Sequence, residues 1–397
     1  MNTPKGFSYS GVRCGLKNKR NDIGLILSDH PAKAAGLFTT NQVRAACVDH
    51  SKKAIQKGTL RGVVVNSGNA NCCTGEQGER DTAQMAHLAA TALGISPEDL
   101  AVGSTGVIGQ LLDMSKVEKG IAEAATKLSP DPRPFMDAIL TTDLVEKQAF
   151  AMIGTGIEGN DSPPSHDSYG QAVIYGVCKG SGMIAPNMAT MLAYITSDAD
   201  VEDLDLDAIL RRVSDKSFNC MTVDGDTSTN DMVLVLANGA SGHKPTEAEF
   251  ERALGEVCVS LAKQIARDGE GATKLVEVVV TGTQDPKKIA RTIAESPLVK
   301  TAMFGCDPNW GRVLMAAGRA GVPFLKEDAT LTIHANGEDH ILFEKGAPGP
   351  FDPKRVSTAL KSDYVLIALD LGPGEKATVY TCDFGYGYVR INAEYHT

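Results

Sequence analysis

The chain has 397 residues, 42% of them apolar and 22% charged, with 39 basic against 49 acidic side chains and a formal charge of −10. That length exceeds what one ordinary core organises, so two domains are expected, and the apolar fraction is that of a soluble globular protein. The acidic balance, with no basic run of five residues, argues against nucleic acid or an anionic membrane as a partner. The N-terminus lacks the apolar segment of a signal peptide and no stretch has the length of a spanning helix, so a cytoplasmic protein is expected.

Strand-like and helix-like patterns alternate along the chain, which predicts an α/β or α+β class. Gly62–Ser67 (GVVVNS) reads as a strand running into the turn-rich GNANCCTGEQG. A helix is expected over Asp81–Leu93, and Ser96-Pro97 opens another with a cap and an early proline. Gly154–Tyr169, rich in Gly, Ser and Pro, reads as a long mobile loop. Lys179–Asn187 is a second loop, and Met191–Ser197 a strand. Leu204–Ser217 and Glu247–Asp268 carry amphipathic helical periodicity, with Leu275–Val280 a buried strand after them and Asp285–Lys300 a helix. Thr330–Phe343 reads as a hairpin, with Asn336-Gly337 supplying the positive φ angles of a tight turn. Ala377–Cys382 and Tyr388–Asn392 read as closing strands. A boundary near Thr281–Pro286, where the apolar strand gives way to TGTQDPKK, separates a larger unit (1–280) from a smaller α/β unit (281–390) and a tail (391–397).

Most familiar chemical signatures are missing. There is no phosphate-binding G-x-x-x-x-G-K-[ST], no H-E-x-x-H and no G-x-S-x-G. The nine cysteines form no C-x-x-C pair, so neither a disulfide framework nor a zinc site is expected, and most read as small buried residues. The oxygen-rich stretch Asp224–Asp231 resembles a calcium loop but has no glycine at the sixth position and Val235 where a bidentate Glu is needed. It reads as a turn stitched by short side chains that borders a site. Ser104-Thr105-Gly106 could present a hydroxyl and a backbone N–H at one point, as an oxyanion hole requires. In Lys179-Gly-Ser-Gly-Met-Ile-Ala-Pro-Asn-Met-Ala-Thr190-Met-Leu, small residues and a proline precede Ala189-Thr190 and an apolar run follows. A threonine becomes a useful nucleophile when its own α-amine is freed to act as base, and that amine titrates near pH ~7.7–8.0. Attack of the Thr190 hydroxyl on the Ala189 carbonyl would free it; an ordinary buried β-branched residue is the plainer alternative.

The stretch ending in Thr190 resembles the self-cleavage signature of the ornithine acetyltransferases of arginine biosynthesis. The likeness extends over essentially the whole chain: Val65-Asn-Ser-Gly-Asn-Ala-Asn71, Ser104-Thr-Gly106, Thr141-Thr-Asp143, Thr222–Asp231, Gly305-Cys-Asp-Pro-Asn-Trp-Gly-Arg312 and Asn392–Thr397 occur in the expected order. Cys72 departs from the pattern, standing where a small residue such as Ala is expected. The resemblance implies a layered αββα-type catalytic domain shared with self-cleaving aminopeptidases. It implies a cut between Ala189 and Thr190 that leaves chains of 189 and 208 residues, assembled as an α2β2 heterotetramer. It implies acetyl transfer from N-acetylornithine to glutamate, with acetyl-CoA as a second donor in some members and neither metal nor resident cofactor. By the same resemblance Thr190 is the nucleophile, Thr105 and Gly106 form the oxyanion hole, and Thr141 (or its neighbour Thr142), Lys179, Glu270, Asn392 and Thr397 contact substrate. A self-cleaving amidohydrolase or aminopeptidase is the competing reading.

Overall fold

The computed structural model describes residues 3–154, 171–185 and 191–394. Among these residues eight strands form one sheet and six another. The larger sheet holds β1 (Phe7–Val12), β2 (Ile23–Phe38), β3 (Thr59–Asn69), β4 (Leu100–Val107), β5 (Lys147–Ile153), β6 (Ala172–Lys179), β7 (Leu192–Ser197) and β8 (Met232–Ala237), in the order β4-β3-β2-β8-β7-β6-β5 with β1 on β2. Pairing is antiparallel except for β3–β4 and β7–β8.

The long β2 gives this sheet its shape. Its first half pairs with β1 and β3, the register shifts between Leu27 and Ala32, and its second half pairs with β8. Strands bend at such irregularities. The β1–β4 and β5–β8 halves thus come face to face, with Tyr9 of β1 edge-on to Tyr175 of β6 (centroids 6.5 Å apart) and 2.8 Å from the Thr196 hydroxyl of β7. Alternation along β7 and β8 shows both faces covered: Leu192, Tyr194, Met232 and Leu234 join the inner core, while Ala193, Ile195, Val233 and Val235 join the outer one. Helices α1 (Ala46–Ala54), α2 (Gly75–Leu93) and α3 (Met114–Ala125) cover the first half, and α4 (Arg133–Ile139) sets Phe135 against Tyr194. Helices α5 (Leu206–Asp215) and α6 (Glu247–Arg267) cover the second half. The result is the helix–sheet–sheet–helix layering that the family resemblance implies.

The smaller sheet contains β9 (Leu275–Thr281), β10 (Thr330–Ala335), β11 (Glu338–Glu344), β12 (Ala347–Pro348), β13 (Tyr364–Asp370) and β14 (Lys376–Cys382), ordered β12-β11-β10-β13-β9-β14. Helices α7 (Pro286–Ala294), α8 (Pro297–Phe304), α9 (Trp310–Gly318) and α10 (Pro353–Ala359) belong to this unit, and its core is built on Val276, Val278 and Val280 of β9. The opposite face of β14 meets α6, where Tyr380 and Cys382 enter the outer core. The last helix, α11 (Tyr386–Glu394), returns toward the larger sheet.

Several expectations change. Leu275–Val280, assigned by sequence to the larger unit, is the parallel partner of β13 in the smaller sheet. Ser96-Pro97 opens only a single 3-10 turn, Pro97–Asp99, because Leu100 onward pairs with β3. The helix expected over 285–300 is broken at Ser296-Pro297, where the serine hydroxyl caps α8. Tyr388–Asn392 is helical, not extended. The hairpin at Asn336-Gly337 forms with φ of 51° and 75° at the two positions. The expected mobile loop falls, from residue 155 on, outside the described residues.

Candidate active site

A cavity of about 160 Å³ opens where the ends of β3, β4, β6 and β7 meet the 228–231 loop, the Glu270 turn and α11. Thr105, Gly106, Thr141, Thr142, Lys179, Glu270 and Asn392 all line it, together with Met191 and Leu192. The sequence-expected residues Ala189, Thr190 and Thr397 lie outside the described residues. Because Thr141 and Thr142 both face the cavity, the choice between them stays open.

At the oxyanion candidate, Gly106 has φ +132°, and a Cβ there would lie 2.4 Å from the Gly68 carbonyl carbon. Only glycine fits both requirements. The pair of strand ends is tied by buried amides. Asn66 Nδ2 donates to the Asn69 carbonyl at 2.8 Å and Asn66 Oδ1 accepts from the Ser104 hydroxyl at 2.7 Å. Asn230 Nδ2 donates to the carbonyls of Ala70 (2.6 Å) and Ser104 (2.9 Å), which anchors the oxygen-rich loop on the strand that carries Thr105. Ser228–Asp231 therefore line the cavity, as the turn reading anticipated, and no cluster of metal-ligating side chains occurs among the described residues.

Lys179 extends its ammonium to within 3.4 Å of the Thr105 hydroxyl, which it can donate to, and makes no ion pair among the described residues. Glu270 is 8% exposed. It accepts from Asn392 Nδ2 at 2.7 Å, and no cation lies within ion-pair distance of it among the described residues. The contact depends on glycines. A Cβ at Gly271, whose φ is +70°, would fall 2.3 Å from the Tyr388 backbone nitrogen, so the bare turn is what lets α11 approach. The Tyr388 hydroxyl donates to Asp224, whose carboxylate also accepts the N–H groups of Met183 and Ile184 at 2.6 and 2.8 Å.

Behind the cavity lies a charge cluster that sequence reasoning missed. Lys147 at the start of β5 donates to Asp143 at 2.7 Å and to Asp268 at 2.5 Å, with side-chain exposures of 0%, 0% and 6%. Asp143 also accepts the N–H of Thr141 at 3.0 Å and of Gly180 at 2.7 Å. Asp268 accepts the N–H of Leu144 at 3.1 Å, and its carbonyl takes the Ser181 hydroxyl at 2.7 Å. Three cavity residues, Thr141, Lys179 and Glu270, thus hang from one buried ionic knot. Burial pushes the Asp143 carboxyl up, but the Lys147 and Lys179 ammonium groups outweigh it and hold it well below the usual carboxylate range. Burial opposes the Lys147 charge too, and the two carboxylates overcome it and raise its pKa. A second omission is Lys17, which also lines the cavity. Burial lowers its pKa to about 8, against the opposing pull of Asp137 and Asp22.

The sequence profile of the ArgJ family matches residues 8–397. The "Arginine biosynthesis bifunctional protein ArgJ" of Symbiobacterium thermophilum is 46% identical over all of this chain and 98% of its own length. The protein of that name from Bacillus licheniformis is 44% identical over all of this chain and 96% of its own. Among solved structures, one chain of the Bacillus halodurans protein of that name is 38% identical over 47% of this chain and 92% of its own, with TM-score 0.42. A chain of the ornithine acetyltransferase of Mycobacterium tuberculosis, solved with ornithine, is 34% identical over 47% of this chain and 94% of its own, with TM-score 0.40.

Proposed function

The chain belongs to the ArgJ family, whose relatives are named for arginine biosynthesis, and from that premise we propose that it is an acetyltransferase moving acetyl from N-acetylornithine to glutamate. One observation carries the choice of substrate. The cavity pairs a hydroxyl and a glycine amide at Thr105-Gly106 with the unpaired Lys179 on one side and the carboxylate of Glu270 on the other. That is the charge complement of an N-acetylated amino acid whose acetyl carbonyl reacts: a cation for carboxylate, an anion for ammonium, donors for an oxyanion. A plain amidohydrolase has no need of this full set.

In the proposed mechanism the chain first cuts itself between Ala189 and Thr190, freeing the Thr190 α-amine. That amine takes the hydroxyl proton as Oγ attacks the acetyl carbonyl of acetylornithine, and Thr105 and Gly106 stabilise the oxyanion. The proton passes to the departing ornithine amine as the acetyl C–N bond breaks, leaving an acetyl ester on Thr190. The glutamate amine then attacks this ester, Oγ leaves with the proton, and N-acetylglutamate departs in the second half of a ping-pong cycle. Lys179 holds the carboxylate common to both amino acids, Glu270 with Asn392 holds the ornithine ammonium, and Thr141 and Thr397 complete the contacts. Acetyl-CoA as a second donor to the same threonine would account for the word "bifunctional" in the relatives' name. The cut halves assemble as an α2β2 heterotetramer acting in the cytoplasm, and no described helix is long and apolar enough to cross a membrane.

The test uses purified protein with acetylornithine plus glutamate, acetyl-CoA plus glutamate, and acetylornithine alone. Transfer in the first mixture supports the reading, and transfer in the second adds the second donor. Release of acetate from acetylornithine with no transfer to glutamate makes the protein a hydrolase.

A further inference from the structure

The two half-reactions place opposite demands on one cavity. The donor brings a side-chain ammonium, the acceptor a side-chain carboxylate, and each also has an α-carboxylate. Among the described lining residues the charged side chains are Lys17, Lys179, Asp231 and Glu270. Lys179 answers the carboxylate that both substrates share, and Glu270 the ammonium. A carboxylate unique to the acceptor needs a second cation. Resting on the function proposed above, we propose that Lys17 receives the side-chain carboxylate of glutamate and so sets acceptor specificity.

The local structure builds Lys17 for this role. It sits between β1 and β2, where the fully buried Asp22 accepts the N–H groups of Cys14, Gly15 and Lys17 at 2.6, 3.0 and 2.9 Å. The backbone is pinned, and the nearest carboxylate on the same loop is occupied by amides. The aliphatic stem lies over Gly68: a Cβ at Gly68 would come within 2.8 Å of Lys17 Cγ. Gly68 is the residue against which Gly106 packs, so the stem runs along the floor of the oxyanion turn. The ammonium donates to the Leu140 carbonyl at 2.7 Å, next to Thr141. Its remaining donors meet no carboxylate within ion-pair distance among the described residues. A lysine with its stem packed, its head half-buried and its charge unpaired at a cavity wall is a carboxylate acceptor in waiting. Its lowered proton affinity, about 8, also lets it shed charge cheaply when the ornithine ammonium occupies the cavity.

Ping-pong kinetics separate the two roles, because kcat/KM for each substrate reports only its own half-reaction. Lys17→Met keeps the stem over Gly68 and removes the charge. The expected result is a fall of roughly ten- to hundred-fold in kcat/KM for glutamate, the worth of one charged hydrogen bond, with kcat/KM for acetylornithine held within about twofold. The preference for glutamate over glutamine as acceptor should collapse in the same variant, and Lys17→Arg should restore part of it. An equal fall for both substrates, or an unchanged glutamate kcat/KM, overturns the assignment. Should the unaltered protein fail to pass acetyl from acetylornithine to glutamate, the reading of function falls and the assignment with it.

Discussion

Replacing Lys147 by Met tests whether the buried ionic knot organises the site. The side chain is similar in length, so the cavity effect is small and the electrostatic effect dominates. In the native protein Lys147 compensates Asp143 and Asp268, at 2.7 and 2.5 Å, inside a region with 0–6% side-chain exposure. Removing one partner of a buried pair costs about 3–5 kcal/mol, because the remaining charge is left uncompensated. Here two carboxylates lose their cation, so the upper part of that range is expected. The loss should also depend on pH with a definite sign. The depressed Asp143 pKa of the native protein adds stability above its unfolded value near ~3.9, lost only as pH falls toward the folded value. In the variant, burial loses its largest opponent and meets only Lys179 and the Thr141 and Gly180 N–H groups, so the carboxyl moves up from its depressed native position. The variant is then penalised most near neutrality and recovers as the pH falls through that raised value. Urea unfolding followed by circular dichroism at about pH 7.5 and about pH 5 measures the gap, which should be wide at the first and narrower at the second. A loss under ~1 kcal/mol, or one equal at both pH values, refutes the reasoning.

The α/β class and the main helices and strands were legible because they rest on periodicity, whereas the layering was implied by the family resemblance alone. The β7 and β8 strands alternate between two cores, and α6 keeps an apolar stripe over its 21 residues with a Thr246–Glu249 capping box at its start. What failed depends on contacts remote in sequence. Tyr388–Asn392 alternates like a strand, yet it folds as a helix that packs on Gly271 and sets the Tyr388 ring against Phe384 at a 40° tilt, centroids 4.6 Å apart. The unit boundary was misread at β9 because composition marks where an apolar strand ends, whereas its sheet is chosen by pairing with β13 and β14. At the site, the motif residues that are described, Thr105, Gly106, Thr141, Lys179, Glu270 and Asn392, line one cavity, and short peptide signatures are what singled them out. Lys17 and Lys147 had no such signal. In Leu16-Lys-Asn-Lys-Arg-Asn-Asp22 nothing separates a solvated lysine from one laid over a glycine brought in by β3. Nor does Lys147 announce that Asp268 will arrive from the end of α6.

The remaining predictions concern the cavity. Wild-type protein on a denaturing gel should show chains of 189 and 208 residues, and Thr190→Ala should leave one uncut, inactive chain; an intact, fully active wild type would remove the nucleophile assignment. Lys179→Ala should raise the KM of acetylornithine or glutamate roughly ten- to hundred-fold, as expected for a lost charged hydrogen bond, and unchanged steady-state kinetics would return it to the solvated surface. Gly182→Ala tests the placement of Glu270. Gly182 does not occupy the left-handed region, so alanine is acceptable to its backbone, and any effect comes from the added methyl. That methyl would lie 2.4 Å from Glu270 Cδ and 2.5 and 2.6 Å from its oxygens, distances no real contact tolerates. The carboxylate is the far end of a flexible side chain, so it should swing aside with little loss of folding stability. The 2.7 Å contact to Asn392 would break and the ammonium acceptor would move by about an ångström, a displacement that can cost up to ~10²-fold in rate. Thermal unfolding should change little while kcat/KM for acetylornithine falls steeply. In a Glu270→Ala background the three atoms nearest to that methyl are gone, so adding Gly182→Ala should do almost nothing further. Independent, additive losses from the two substitutions would show that Gly182 acts on something other than Glu270.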